Sequence, residues 1–316
     1  MSHVEGCPDL GPACASPSPP APYWHYVDEL IAETALGARL AVTNAFAIET
    51  RWALRVVDVN PTYAELDGTP KIVPGEIHHH DETLVDVTDP WFVAVFSAAT
   101  SGFVSTARLG LSLPIGRTED DPYALGAQGK SHEHIQAGTG TVLPILGFDL
   151  AYTFARRSVV PITLGVGGTA LFSLYANEKG YRAPTRFDVG LPISASFLEG
   201  RLTPTIALRL AHDGEEYWHG EVGGEGTMVR TELFLGGSLA WRFVDRWWLA
   251  GAATGRIASF TDAPTFESVG TFTLSLGTTF DLWDTDEERR ARGETVDDGT
   301  RIRRTPRDGG VEFEKD

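Results

Sequence analysis

The stretch Thr227-Met-Val-Arg-Thr-Glu-Leu-Phe-Leu-Gly-Gly-Ser-Leu-Ala-Trp-Arg-Phe243 decides the fold. Val229, Thr231, Leu233, Leu235, Leu239, Trp241 and Phe243 share one parity, and Arg230, Glu232, Ser238 and Arg242 share the other. Successive side chains of a strand point to opposite faces, so the segment is apolar on one side and wet on the other. Strands of soluble sheets run about 5–6 residues, whereas a tilted strand crossing a bilayer needs about 9–11. The length and alternation together predict a strand between hydrocarbon and water.

The same rhythm recurs through residues 28–42, 46–59, 103–114, 134–154, 159–175, 185–198, 202–210, 246–260 and 271–282. Residues 88–98, with Pro90 and Trp91 near their start, are more continuously apolar, and their facing is ambiguous. Short turns at Asn44-Ala45, Thr100-Ser101-Gly102, 155–158, Glu199-Gly200 and Val244-Asp245 alternate with long polar loops. That asymmetry is the signature of an outer-membrane barrel, with short inner turns and long outer loops. About eleven strands are visible, and bacterial single-chain barrels are even-numbered. The expectation is a single all-β, antiparallel, up-and-down transmembrane β-barrel over residues 23–283, of about 12 strands, with 10 as the alternative. Residues 22–33 are the source of the extra strand. A Pro/Gly/Ser-rich lead-in over 1–22 and a charged tail over 284–316 have too few apolar residues to offset the entropy of ordering, and are read as disordered.

A net charge of −17 leaves no basic stripe for phosphates, which excludes nucleic acid as a partner. No run of about 18 apolar residues marks a spanning helix. Alternating barrel strands escape that test because every second residue is polar. The only cysteines, Cys7 and Cys14, either close a small disulfide loop in an oxidising compartment or are incidental. A barrel of this kind must be exported, yet the first residues show no basic start followed by an apolar core. The expectation is therefore that the true start lies upstream of Met1 or that Met1 begins a trimmed chain.

Trp241, Phe243, Trp247, Trp248, Phe280 and Trp283 gather at strand ends beside the short turns, as an interfacial aromatic girdle would. A soluble, lipocalin-like barrel binding an apolar ligand is the competing architecture. It would need the long Trp and Phe rows to fill one very large interior.

The segment Ala107-Arg-Leu-Gly-Leu-Ser-Leu-Pro114-Ile-Gly116, a polar loop, then Ile135-Gln-Ala-Gly138-Thr-Gly140 with Leu146-Gly147 and Tyr152 behind it, resembles a proteobacterial outer-membrane family. Its members are channels or transporters linked by gene context to phenol degradation. The resemblance covers the middle of the chain, and elsewhere only the strand rhythm agrees. It implies a barrel and the uptake of small molecules. His132-Glu133-His134, directly before the glycine-rich stretch, and the run His78-His79-His80 depart from that family and speak against aromatic substrates.

Two sets of side chains carry the functional expectation. Arg39, Glu49, Arg51, Arg55, Arg108, Asp149, Arg186, Asp188, Arg209, Arg230, Glu232 and Arg256 fall on the polar parity and are read as pore-lining. Charged residues in a lumen either bias a water-filled path or pair into a solid polar core. His78, His79, His80, His132 and His134 fall in loops that a barrel gathers at one rim. Imidazole is the commonest ligand of borderline ions, so a copper, zinc or nickel site there is the more specific expectation. His212 and His219 are assigned to the same rim. No nucleophilic serine is placed by a motif, and Gly165-Val-Gly167-Gly168 lacks the helix a phosphate loop needs, so the chain is read as a non-enzyme. The resulting function is an outer-membrane channel or transporter of a Gram-negative envelope, for a small solute or metal ion in contact with membrane lipid. A structural or adhesive barrel with a plugged lumen is the alternative.

Overall fold

The computed structural model describes residues 2–5, 22–73, 81–128, 130, 132, 134–154, 158–223, 229–260, 269–279, 294–296 and 302–304. Eleven long strands carry the fold. They are β1 (Tyr23–Ala41), β2 (Phe46–Ala64), β3 (Trp91–Thr100), β4 (Phe103–Ser112), β5 (Leu143–Phe154), β6 (Ile162–Leu171), β7 (Arg186–Ala195), β8 (Leu202–Asp213), β9 (Arg230–Val244), β10 (Trp247–Ser259) and β11 (Gly270–Thr278). They form one antiparallel sheet in strict chain order, β1 to β11, curled into a barrel wall. One short helix, Pro122–Ala127, stands on the loop side, with Asp121 accepting from the Tyr123 and Ala124 backbone as its N-cap. No described helix is long and apolar enough to cross a membrane.

The short turns behave as their residues dictate. Thr100 pairs with Phe103, leaving Ser101 and Gly102 at positive φ as a two-residue hairpin whose twist matches the strands. Leu198, Glu199 and Gly200 all take left-handed φ in the turn between β7 and β8. Between β2 and β3 the ladder carries a break. Glu82–Val87 pairs with the upper part of β2, and β3 pairs with the lower part. Pro90, which has no N–H to donate, sits between them. Thr88 still donates to the Ala53 carbonyl, and the Trp52 indole donates to the Thr88 carbonyl, which keeps the two pieces in line.

The stretch proposed to hide a twelfth strand, residues 22–33, does not turn back on itself. Tyr23 to Ala41 is one continuous strand paired along its length with β2. The sheet's twelfth position is Ser2–Glu5, inside the expected lead-in, which runs antiparallel to Tyr23–Tyr26. Within the expected tail, Glu294–Val296 and Ile302–Arg304 form a separate hairpin. The remainder of both terminal segments, Cys7, Cys14, Phe280 and Trp283 included, lies outside the described residues.

β11 and, beyond the short cover that Ser2–Glu5 gives Tyr23–Tyr26, β1 are the two margins of the sheet, and both run from the long-loop side to the short-turn side. No pairing between them occurs among the described residues.

Parity separates two surfaces along every strand. Leu146, Phe148, Leu150 and Phe154 on β5, and Leu235, Leu239 and Trp241 on β9, stand exposed on the convex face. The same face carries Leu36 at 75% exposure and Phe272 at 76%. Exposed apolar patches on soluble monomers reach a few hundred Å². A belt of Leu, Phe and Val around every strand exceeds that many times over and requires an apolar surrounding.

On the concave face the buried residues gather in two places. Val27, Val57 and Val59 form one group with Leu84 and Ile135 packed on it. Ala47, Val93, Val95 and Ile145 form the other, with Trp91 and Leu171 against them. The second group resolves the strand whose facing the sequence left open. Val93 lies opposite Glu49 and faces inward, while Phe92 and Phe96 are exposed outward. Gly110 leaves the room this packing needs, since a Cβ there would overlap the Phe92 carbonyl and the Val93 side chain.

A cross-strand arginine ladder inside the curled sheet

The sheet encloses a cavity of about 2870 Å³ lined by residues of β1, β2 and β7 to β11 together with parts of β3 to β6. Arg39, Glu49, Arg51, Arg108, Arg186, Asp188, Arg209, Arg230 and Glu232 line it. Arg55, Asp149 and Arg256 share their parity and are reached through ion pairs.

Each of these arginines meets a carboxylate on a neighbouring strand. Arg39 and Glu49 are directly opposite on β1 and β2, at 2.9 Å. Glu33 receives both Arg51 and, at 3.1 Å, Arg55. Arg108 on β4 pairs with Asp149 on β5, and Arg209 on β8 pairs with Asp188 on β7. Asp213, at the loop-side end of β8, lies between Arg186 at 3.3 Å and Arg230 at 2.7 Å, one on each adjacent strand. Arg256 and Glu232 make the most enclosed pair, at 2.7 Å.

Register explains how the long side chains lie flat. Arg51, Arg108 and Arg209 sit opposite Gly37, Gly147 and Gly190. A glycine opposite leaves the wall bare there, so the guanidinium crosses to a carboxylate farther along the partner strand. Glu33 and Asp213 each serve two arginines, so the ladder carries a surplus of positive charge and the chain's net negative charge resides elsewhere.

Glu33 and Asp213 complete the ladder; Glu33 falls on the inward parity already in the sequence, whereas Asp213 does not read as strand there. Asp213 was assigned to the loop with His212. Its parity signal was present all the same, because Arg209, Ala211 and Asp213 alternate in phase.

The long loops pack against one another. Tyr181, Ala183 and Trp218 make a small core against Tyr123 of the helix. Tyr181–Arg182, Tyr217–Trp218 and Glu221–Val222 form a three-stranded sheet there. Burial pushes the Tyr181 hydroxyl well above the usual phenol range. Tyr217 is raised by donating to Glu215 at 2.6 Å, while Arg182 lies over its ring. The Asp67 carboxylate, in the loop after β2, is held low by accepting the Thr69 backbone N–H.

Part of the expected histidine rim falls among the described residues. His132 and His134 are neighbours, with ring centroids 5.3 Å apart, and His134 meets the Tyr123 ring edge-on. Among the described residues no three His, Cys, Asp or Glu side chains group as metal ligands. His78, His79, His80 and Glu133 lie outside the described residues. His212 is on β8 rather than in a loop, its ring 2.8 Å from the Thr231 hydroxyl and beside Phe187. His219 lies 3.5 Å from Asp121 at the helix N-cap. The aromatic girdle also needs one amendment. Trp241 and Trp247 are outward, whereas Trp248 sits on the inner parity, packed over Gly277 and lining the cavity.

No protein-family model matches the chain, and no curated protein matches it. Among solved structures, it is similar to the crystal structure of an outer membrane channel from Pseudomonas putida F1. The identity is 13%, the TM-score 0.49, and the likeness covers 87% of this chain and 91% of that one.

Proposed function

We propose that this protein is a channel of a Gram-negative outer membrane, passing small polar solutes through a narrow, partly occluded lumen. One observation carries the reading. A curled sheet that is apolar outward carries, inward, eight arginines paired with carboxylates around a cavity of about 2870 Å³. A wet interior inside a greasy exterior makes a path through hydrocarbon. The cross-strand pairing keeps the arginine side chains against the wall and leaves the axis to water.

Ile135 and His134 of the loop after β4 enter the cavity, which narrows it from the loop side. The same intrusion favours a second reading, a structural barrel whose lumen is plugged. Purified protein reconstituted into planar bilayers separates the two. Discrete conductance steps are expected; their absence, in protein whose gel mobility shifts on heating, leaves the plugged barrel. A transition-metal site built from His132 and His134, whose rings are neighbours, with His78, His79 and His80 is the more specific variant of this reading; metal titration of a variant with all five changed to Ala tests it, and unchanged binding removes it.

A further inference from the structure

We infer that Asp89 sets the width of the channel mouth, by clipping both limbs of the loop between β4 and β5 to the wall and holding Ile135 inside the lumen. The inference rests on the channel reading for its consequence but not for its geometry.

Asp89 occupies the break between Glu82–Val87 and β3, directly before Pro90, and is 8% exposed. One carboxylate oxygen accepts the Gly116 backbone N–H at 2.7 Å, from the outgoing limb. The other accepts both the backbone N–H and the hydroxyl of Thr139 at 2.8 Å, from the returning limb. Between these anchors the limbs touch. Gly138 donates to the Arg117 carbonyl at 2.8 Å, and a side chain at Gly116 or Gly138 would overlap the other's backbone. Glu119 N–H donates to the Gln136 side chain at 2.8 Å, continuing the zipper toward the tip.

Ile135 follows directly from this pinning. It is three residues before Gly138 and, like Leu84, packs on Val27, Val57 and Val59, which share the inner parity with Glu33, Arg51 and Arg55. A loop tethered by one buried anion, closed by two glycines and seated on lumen-facing valines is fixed inside the mouth. Bonds to a charged acceptor are stronger than neutral ones, so a single side chain suffices. The same contacts give a role to Gly116 and to Gln136-Ala137-Gly138-Thr139, which no other part of the site uses.

The test compares wild type, Asp89→Ala, Asp89→Asn and Thr139→Val, each first shown to be folded by heat-modifiable mobility. Two readouts are taken: single-channel conductance, and the rate of trypsin cleavage at Lys130 in the loop. Asp89→Ala is expected to conduct in larger, flickering steps and to be cleaved about tenfold faster or more, with Thr139→Val between it and wild type. Asp89→Asn keeps one acceptor and is expected to fall nearer wild type. Unchanged cleavage and conductance in a folded Asp89 variant overturns the clip. Faster cleavage with no conductance in any protein keeps the clip and removes the channel. Should Asp89→Ala fail to fold, Asp89→Asn and Thr139→Val decide alone, and wild-type behaviour in both refutes the inference.

Discussion

Two ion pairs of the same chemistry sit on the inner wall in different surroundings, and the difference between them is measurable. Arg256–Glu232 and Arg39–Glu49 are each a cross-strand arginine and glutamate, at 2.7 and 2.9 Å. The first pair's side chains are 10% and 8% exposed, the second's 55% and 30%. Unit charges about 4 Å apart attract by about 4 kcal/mol at an effective dielectric near 20, but by about 1 kcal/mol in bulk water. Removing one member of the enclosed pair also strands a charge away from solvent. Glu232→Gln is therefore expected to destabilise the fold by about 3–5 kcal/mol, and Glu49→Gln by less than about 1 kcal/mol. The double variant Glu232→Met/Arg256→Met should recover most of the loss, since a buried pair exchanged for apolar groups of similar size is close to neutral. Urea unfolding in lipid vesicles, followed by tryptophan fluorescence and gel mobility, reads all of these. Equal losses for Glu232→Gln and Glu49→Gln would show both pairs equally hydrated and would refute the argument from enclosure.

Neighbouring residues on β8 test which face meets lipid. Leu208→Lys is expected to cost about 2–4 kcal/mol in a bilayer if it lies near mid-depth, while Ala207→Lys, one residue away on the inner face, should cost little. Vesicle unfolding checks both, and equal costs would count against the membrane-facing assignment. Gly110→Ala should weaken the β3–β4 wall, because its Cβ has only the Phe92 carbonyl and the Val93 side chain to displace; unfolding that matches wild type would disprove the crowding. Gly277→Val should dislodge Trp248 from the inner wall, seen as a red shift of emission that Gly251→Val, where the added Cβ meets nothing within 4 Å, does not give.

The alternation of residues 227–243 contained most of the wall. Parity alone put Leu239 outward and Glu232 inward, because a strand between two solvents has only two environments to sort its side chains into. It failed where the inner face is itself apolar. Val93 and Val95 pack inward against Ile145, so both faces of β3 are greasy and the pattern loses contrast. Trp248 was misplaced for a related reason, since aromatic character says nothing about facing and a glycine partner is visible only in register. The arginines were legible as a group but not as a ladder. Which carboxylate each one meets depends on pairing across strands, and Asp213 sat too near His212 and Gly214 to read as strand. Asp89 was silent altogether, because its partners lie 27 and 50 residues on.

β1 and β11 point the same way, and that has a consequence for assembly. Two strands heading in one direction cannot zip together in the antiparallel manner used everywhere else in this wall; a strand heading the opposite way satisfies both margins at once, and among the described residues Ser2–Glu5 takes that heading against the first turn-distal residues of β1, Tyr23–Tyr26. A second copy inserted in the same membrane orientation cannot provide it, since rotation about the bilayer normal leaves every strand's heading unchanged. The seam thus selects its own filler by direction, and side-by-side dimers are barred from sealing it in that fashion however well their surfaces fit.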